Sequence, residues 1–177
     1  VKSSFIKKPG TLITKRTNLN NNRIITGISS THNDAKVTLV GVKDKPGVAA
    51  SIFKPLSINS INVDMVVQNI SANGKETDLT FTIKAEDLNK TKKIIQENKK
   101  INFKKVLFQK GVSKISIIGV GMITTPGVTF RMFQALANKK INIQVISTSE
   151  IKISVLINKK DAKKALATLH KEFKLQK

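Results

Sequence analysis

One stretch of this sequence occurs twice, 80 positions apart. Lys43-Asp44-Lys45-Pro46-Gly47-Val48-Ala49-Ala50-Ser51-Ile52-Phe53 is followed by Ile61-Asn62-Val63. In the second copy, Ile123-Thr124-Thr125-Pro126-Gly127-Val128-Thr129-Phe130-Arg131-Met132-Phe133 is followed by Ile141-Asn142-Ile143. Gly41 and Gly121, Leu56 and Leu136, and Val66 and Ile146 keep the same register. A period this long exceeds a solenoid repeat and fits a duplicated small domain. Two such copies can share a sheet, a cleft and a pair of ligand sites.

The pattern inside each copy gives the element order. Residues 37–42 are apolar on both faces, as a central strand requires. Pro46 fits the first turn of a helix, where its missing N–H costs nothing. Ala49, Ile52, Phe53 and Leu56 then follow an i, i+3, i+4, i+7 stripe, with Pro55 placed to shorten or kink the helix. Residues 63–70 form the next strand, and Asn73-Gly74 signals a hairpin turn. Leu79, Phe81 and Ile83 alternate with Asp78, Thr80 and Thr82, which describes a half-buried strand. Residues 86–99 read as a helix, acidic at its start and lysine-rich at its end, in accord with the helix dipole. Residues 103–108 close the unit, giving the β-α-β-β-α-β order of a ferredoxin-like split unit.

The second copy repeats this order. It has a strand at 114–120, a helix stripe of Thr129, Met132, Phe133 and Leu136, and a strand at 143–147. In the next strand Ile151, Ile153, Val155 and Ile157 alternate with Lys152, Ser154 and Leu156; Asp161 caps a last helix lined by Ala162, Ala165, Leu166, Leu169 and Phe173. The second unit has no closing strand after that helix, and an unpaired sheet edge is a liability. A spare strand, residues 24–29, precedes the first unit. The economical solution inserts the first unit within the second, with 24–29 crossing over to complete the latter. Neither half should then fold well alone. Upstream, Phe5-Ile6 and Thr11-Leu12-Ile13 flank Pro9-Gly10 as short extended pieces, and residues 15–23 read as a polar linker.

Composition narrows the chemistry. Without cysteine, disulfide scaffolds, thiol catalysis and cysteine-bound zinc are excluded. The two histidines, His32 and His170, are far apart, so no metal site is expected. No apolar run approaches the ~20 residues of a membrane span. No signal-peptide pattern opens the sequence, and the cytoplasm is the expected location. The net charge of +21 raises the possibility of a nucleic-acid partner on a ferredoxin-like scaffold. Against it, lysine outnumbers arginine 29 to 3, Tyr and Trp are missing, and the lysines are scattered over both copies. Arginine forks and aromatic platforms are the usual means of reading phosphates and bases. A solvated lysine-rich surface is the favoured reading. A dimerisation module without a ligand is a third. No HExxH, Walker loop, GxGxxG or Ser-His-Asp order supports catalysis.

Three features converge after the first strand of each unit. A glycine permits close backbone approach. Pro-Gly opens a helix whose free N–H groups attract a carboxylate. Asn62 or Asn142 starts the strand that follows. A small zwitterion suits this arrangement. Asp44 corresponds to Thr124, Asp64 to Gln144 and Gln68 to Thr148, so the first copy offers two carboxylates and the second neutral groups, with Glu150 nearby. Each also has a plainer reading: Asp44 as a loop or capping residue, Asp64 as a strand-end charge, Pro-Gly as a helix start, Glu150 as a hairpin-turn residue.

Residues 36–47, 61–69, 77–82 and 141–157 closely resemble the paired ACT domains of bacterial aspartate kinase. The stretch Ser147-Thr148-Ser149-Glu150-Ile151-Lys152-Ile153-Ser154 is the most specific part, and the resemblance runs from about Ile24 to the C-terminus. It implies an α+β fold of two tandem ACT domains, the first inserted in the second. Residues 1–23 would be the end of a kinase domain and a linker, 24–30 a strand of the second ACT domain, 36–110 the first and 113–177 the second. Ser3-Ser4-Phe5 and Pro9-Gly10-Thr11-Leu12-Ile13 are similar to the end of the family's kinase domain. The resemblance implies a noncatalytic regulatory region, similar to the separately made small subunit of some bacteria. Its implied partners are lysine and/or threonine as effectors, a second copy of itself, and the aspartate kinase catalytic domain or subunit. No cofactor is expected in this chain; ATP and magnesium would belong to the kinase domain. Carried over by motif, the first site would use Asp44, Pro46, Gly47, Val48, Ala49, Asn62, Val63, Asp64 and Gln68. Val128, Thr129, Asn142, Ile143, Ser149 and Glu150 would come from the second unit. Asp44 and Asp64 would hold ammonium groups, and the backbone at Asn142 and Ile143 the ligand's main-chain atoms. Val48 and Gln144 stand where they could tune the choice of effector.

Overall fold

The structure is a computed structural model that describes residues 24–70, 74–98 and 101–175. The pieces read within residues 1–23, the Asn73 half of the hairpin turn and the Lys99 end of the second helix lie outside them. The elements run β1 (Gly27–Ser30), β2 (Asp34–Lys43), α1 (Val48–Ile58), β3 (Val63–Ile70), β4 (Glu76–Lys84), α2 (Leu88–Glu97), β5 (Lys105–Ile118), α3 (Val128–Asn138), β6 (Val145–Ser149), β7 (Lys152–Asn158) and α4 (Ala162–Glu172). One seven-stranded sheet carries them in the order β3-β4-β2-β5-β7-β6, with β1 paired to β5 off this path. The first unit therefore reads β5-β2-β4-β3 and the second β1-β5-β7-β6, the same order twice.

β1 crosses over as the sequence demands. It pairs antiparallel with the far end of β5, Gly27 opposite Ile118 and Ser30 opposite Ile115. Ile25, just before it, is buried in the second unit's core with Ile115, Ile117, Met132, Leu136 and Leu169. The backbone of Ile24 and Ile25 runs so close to β5 that a Cβ on Gly119 would sit 2.1 Å from the Ile24 carbonyl oxygen. The first unit has its own core, in which Val37, Leu39, Ile52, Leu56, Phe81 and Ile95 meet. The i, i+3, i+4 stripes of α1 and α3 place the same register positions in both cores, including Leu56 and Leu136.

Four local expectations are corrected. The strands read at 103–108 and 114–120 are one 14-residue strand, β5. Gly111, at φ 72°, marks a bulge rather than a turn: Ala35 faces Lys110 and Asp34 faces Val112, skipping the glycine. Pro46 stands in a turn before α1 rather than in its first turn. Pro55 lies inside α1, which continues to Ile58, so it does not end the helix. Finally, β7 is not half-exposed; Ile153 through Ile157 are all buried.

The last correction follows from how the units meet. Met65 of β3, Val112 of β5 and Leu156 of β7 form a small apolar cluster, with Val145 of β6 packed against it. Polar links cross the same seam. Lys36 Nζ donates to Gln144 Oε1 at 2.8 Å, Lys159 Nζ to Asn33 Oδ1 at 3.0 Å, and Lys114 Nζ pairs with the Asp64 carboxylate. Burial at this seam pulls the Lys36 ammonium below its ordinary value of 10.5. The unfolded chain then binds the proton more readily, so the unfavourable contribution of this lysine is present at neutral pH and fades as pH rises through its lowered value. Relative to Lys36→Met, the wild-type chain should gain stability as pH climbs toward 10.5, which urea titrations of both proteins at neutral and alkaline pH would measure. Among the described residues, no helix is long and apolar enough to cross a membrane.

Candidate functional site

The repeated Pro-Gly builds the same device in both units. Lys45-Pro46-Gly47-Val48 is a type II turn: Gly47 sits at φ 87°, ψ −4°, and Val48 N donates to the Lys45 carbonyl at 3.2 Å. Proline presets the second position and only a residue tolerant of positive φ fits the third. Gly127 has nearly the same angles, φ 87° and ψ −2°. In both, the glycine takes the N-cap position with no side-chain cap, so the first N–H groups of α1 and α3 have no capping side chain. Helix N-termini of this kind favour anions.

A shallow cleft lies against each turn. In the first unit, about 500 Å³ is lined by Asp44, Pro46, Gly47, Val48, Ala49 and Gln68, with Lys45 and Ala50. In the second, about 570 Å³ is lined by the Thr125–Thr129 turn, by Thr148, Ser149 and Glu150, and by an apolar floor that includes Met122 and Ile153. The clefts stand at equivalent places in the repeat, since Gln68 and Thr148 are 80 positions apart. Each contains a helix N-terminus and an exposed acid: Asp44 from the loop in the first, Glu150 from the β6–β7 turn in the second. Among the described residues, neither acid is held in an ion pair. Most acids elsewhere have partners: Asp34 with Lys84, Glu76 with Lys104, Glu172 with Arg131, and Asp78 with the Gly41 N–H.

The structure brings together six of the nine first-site residues read from the sequence: Asp44, Pro46, Gly47, Val48, Ala49 and Gln68. Asn62 and Val63 line a separate hollow of about 300 Å³ with Phe53, Ser57 and Ile61. Asp64 sits in neither; it faces the inter-unit seam and pairs with Lys114. In the second unit Val128, Thr129, Ser149 and Glu150 share the cleft, while Asn142 is exposed outside it and Ile143 packs against the core. Thr148 was legible through its register with Gln68. Met122, Ile153 and Lys114 carried no local signal.

Comparison with known proteins gives a consistent result. A family model for the ACT domain matches residues 37–98 and 115–173. The aspartate kinase of Pseudomonas fluorescens is 45% identical over 174 residues, covering 97% of this chain and 42% of that protein. The aspartokinase of Corynebacterium glutamicum is 40% identical over 179 residues, covering 99% of this chain and 42% of that protein. This chain thus spans less than half the length of these curated relatives. Among solved structures, the aspartokinase alpha and beta subunits superpose with a TM-score of 0.77 at 40% identity, covering 85% of this chain and 99% of the matched one. The ligand-free regulatory subunit of aspartate kinase from Thermus thermophilus gives a TM-score of 0.77 at 33% identity, with 85% and 99% covered. These matches do not favour a nucleic-acid-binding protein.

Proposed function

The chain belongs to the ACT-domain family, as the regulatory part of an aspartate kinase, and from that premise we infer that it senses lysine and/or threonine and feeds their abundance back onto the kinase. The observation that carries this reading is the duplicated cleft, each with a glycine-capped helix N-terminus beside an exposed carboxylate. A free amino acid is complementary to it. Its carboxylate would lie on the N–H groups after Gly47 or Gly127, and its ammonium on Asp44 or Glu150.

Asn62-Val63 and Asn142-Ile143 stand apart from the clefts of their own chain. In our reading a second copy, paired side by side, brings these strand starts to the open clefts and completes each site with backbone groups. Exposed apolar side chains on the β3 and β6 edges, Val66, Ile70 and Ile146, are consistent with such a partner. Effector binding shifts the assembly only so far as the ligand binds one arrangement better than another. The kinase portion, with its ATP, magnesium and aspartate sites, lies outside this chain in our reading, and the assembly works in the cytoplasm.

Calorimetry on the 177-residue chain with L-lysine and L-threonine, singly and together, tests the reading. Binding should appear at submillimolar to millimolar effector, and Asp44→Ala should weaken it by about tenfold or more, the loss of one charge-assisted hydrogen bond. Because Asp44 is exposed, the variant should keep its melting temperature. No heat and no thermal shift with either amino acid would defeat the proposal.

A further inference from the structure

Lys36 is a half-buried cation held by a neutral group. Its Nζ donates to Gln144 Oε1 at 2.8 Å, across the seam between units. Gln144 is itself oriented: its Nε2 donates to Asn158 Oδ1 at 3.2 Å, which turns its oxygen toward the lysine. Among the described residues, no carboxylate pairs with Lys36. Asp34, two residues earlier on β2, is engaged by Lys84, and Asp64 by Lys114. Burial with no counter-charge disfavours the ammonium and lowers its pKa. The neutral amine can still donate one N–H to Gln144, and its lone pair is then free to attack. A lysine desolvated in this way is a nucleophile at a pH where a solvated one is protonated. Beside Asn158 stands the exposed Lys159, whose Nζ also donates to a neutral acceptor, Asn33 Oδ1, at 3.0 Å. Its charge, and the net charge of +21, draw anionic reagents to this seam.

We propose that Lys36 is an acylation site that takes small acyl phosphates, a class of activated carboxyl group that is also an anion. Nζ attacks the acyl carbon, and the new N–C bond forms as the bond from that carbon to the bridging phosphate oxygen breaks. Inorganic phosphate leaves with the bonding electron pair, and the nitrogen gives up one proton to solvent. Nothing is oxidised or reduced. The product amide keeps one N–H for Gln144 and carries no charge, so acylation removes a cation from the seam. Lys36 lines neither cleft, so this modification and amino-acid sensing stand or fall separately.

The test treats the folded full chain with acetyl phosphate at about pH 8, below the ordinary lysine range. Mass spectrometry follows acetylation at each lysine, with isotopically labelled acetyl groups added after denaturation to count the unmodified sites. Lys36 should react at least about threefold faster than Lys163 and Lys164, exposed lysines of α4. Lys114, buried and paired with Asp64, should react more slowly than these. In the urea-unfolded chain the advantage of Lys36 should vanish. Gln144→Glu sets a carboxylate of the same size against Nζ and restores the ammonium. It should slow Lys36 by at least about threefold and leave Lys163 and Lys164 within about twofold of wild type. Gln144→Leu keeps the seam covered without a carboxylate, and Lys36 should there stay faster than the α4 lysines. A wild-type Lys36 no faster than Lys163 and Lys164 overturns the proposal. So does an unchanged rate at Lys36 in Gln144→Glu, since access alone would then govern it. An advantage that survives unfolding overturns it as well, because the seam would then have no part in it.

Discussion

Gly119→Ala will loosen the crossover strand and cost the protein about 3 kcal/mol, the upper end of what overpacking at a buried position typically costs. The residue is extended, at φ 176°, so its conformation does not require glycine. The neighbouring chain does. An added Cβ would lie 2.1 Å from the Ile24 oxygen and 2.7 Å from Ile25 Cα, and both obstacles are backbone. The strand must therefore retreat. As it moves, Ile25 leaves the second unit's core, and the bonds from Thr26 N to the Ile118 carbonyl and from Thr31 N to the Lys114 carbonyl lengthen or break. Gly27→Ala is the control, because nothing lies within 4 Å of its Cβ and its φ is not positive. Urea unfolding should separate the two variants, and hydrogen exchange should show early loss of protection over 26–31 in Gly119→Ala alone. Equal stability of the two would mean that β1 is not clamped where the second unit needs it.

That clamp was inferable from the sequence only as a topological necessity. The second copy lacked a closing strand, and residues 24–29 were spare. Of the glycines that admit the crossing chain, Gly119 read as part of the strand at 114–120 and Gly121 as the repeat partner of Gly41, so neither pointed to residues 24–25. The repeat itself was plain because identical residues recur at a fixed spacing. The helix stripes of α1 and α3 were plain because each buries one face. Features that depend on contact between the copies were hidden. β7 has a strict alternation, yet β3 of the other unit brings Met65 onto its second face. The gap read between 103–108 and 114–120 contains Gly111, which the structure absorbs as a bulge within one strand. The partner of Asp64 is one of 29 lysines, and only the fold selects it.

Ile115→Ala should destabilise both units at once. The side chain is fully buried in the second unit's core, where truncation of a large aliphatic residue typically costs about 2–5 kcal/mol. For a chain of this size that corresponds to a fall in melting temperature of roughly 5–15 °C. Damage would stay local if the halves were beads on a linker, but they share a strand. Val112 of β5 lies opposite Asp34 of β2 and also opposite Asn158 of β7, so one residue belongs to both ladders. The upstream half of β5 is the fourth strand of the first unit, and its downstream half is the central strand of the second. Once the second core opens, the first unit loses the anchored end of its edge strand and the Met65 contacts beyond it. Its own core of Val37, Leu39, Leu79 and Phe81 would then stand behind a frayed sheet. Amides of Leu79 and Phe81 should therefore lose exchange protection in step with those of Val155 and Ile157, within one calorimetric transition. Leu79→Ala, made from the other side, should reciprocate. Two resolved transitions, with the first unit's amides as protected as in wild type, would show that β5 joins the halves without coupling them.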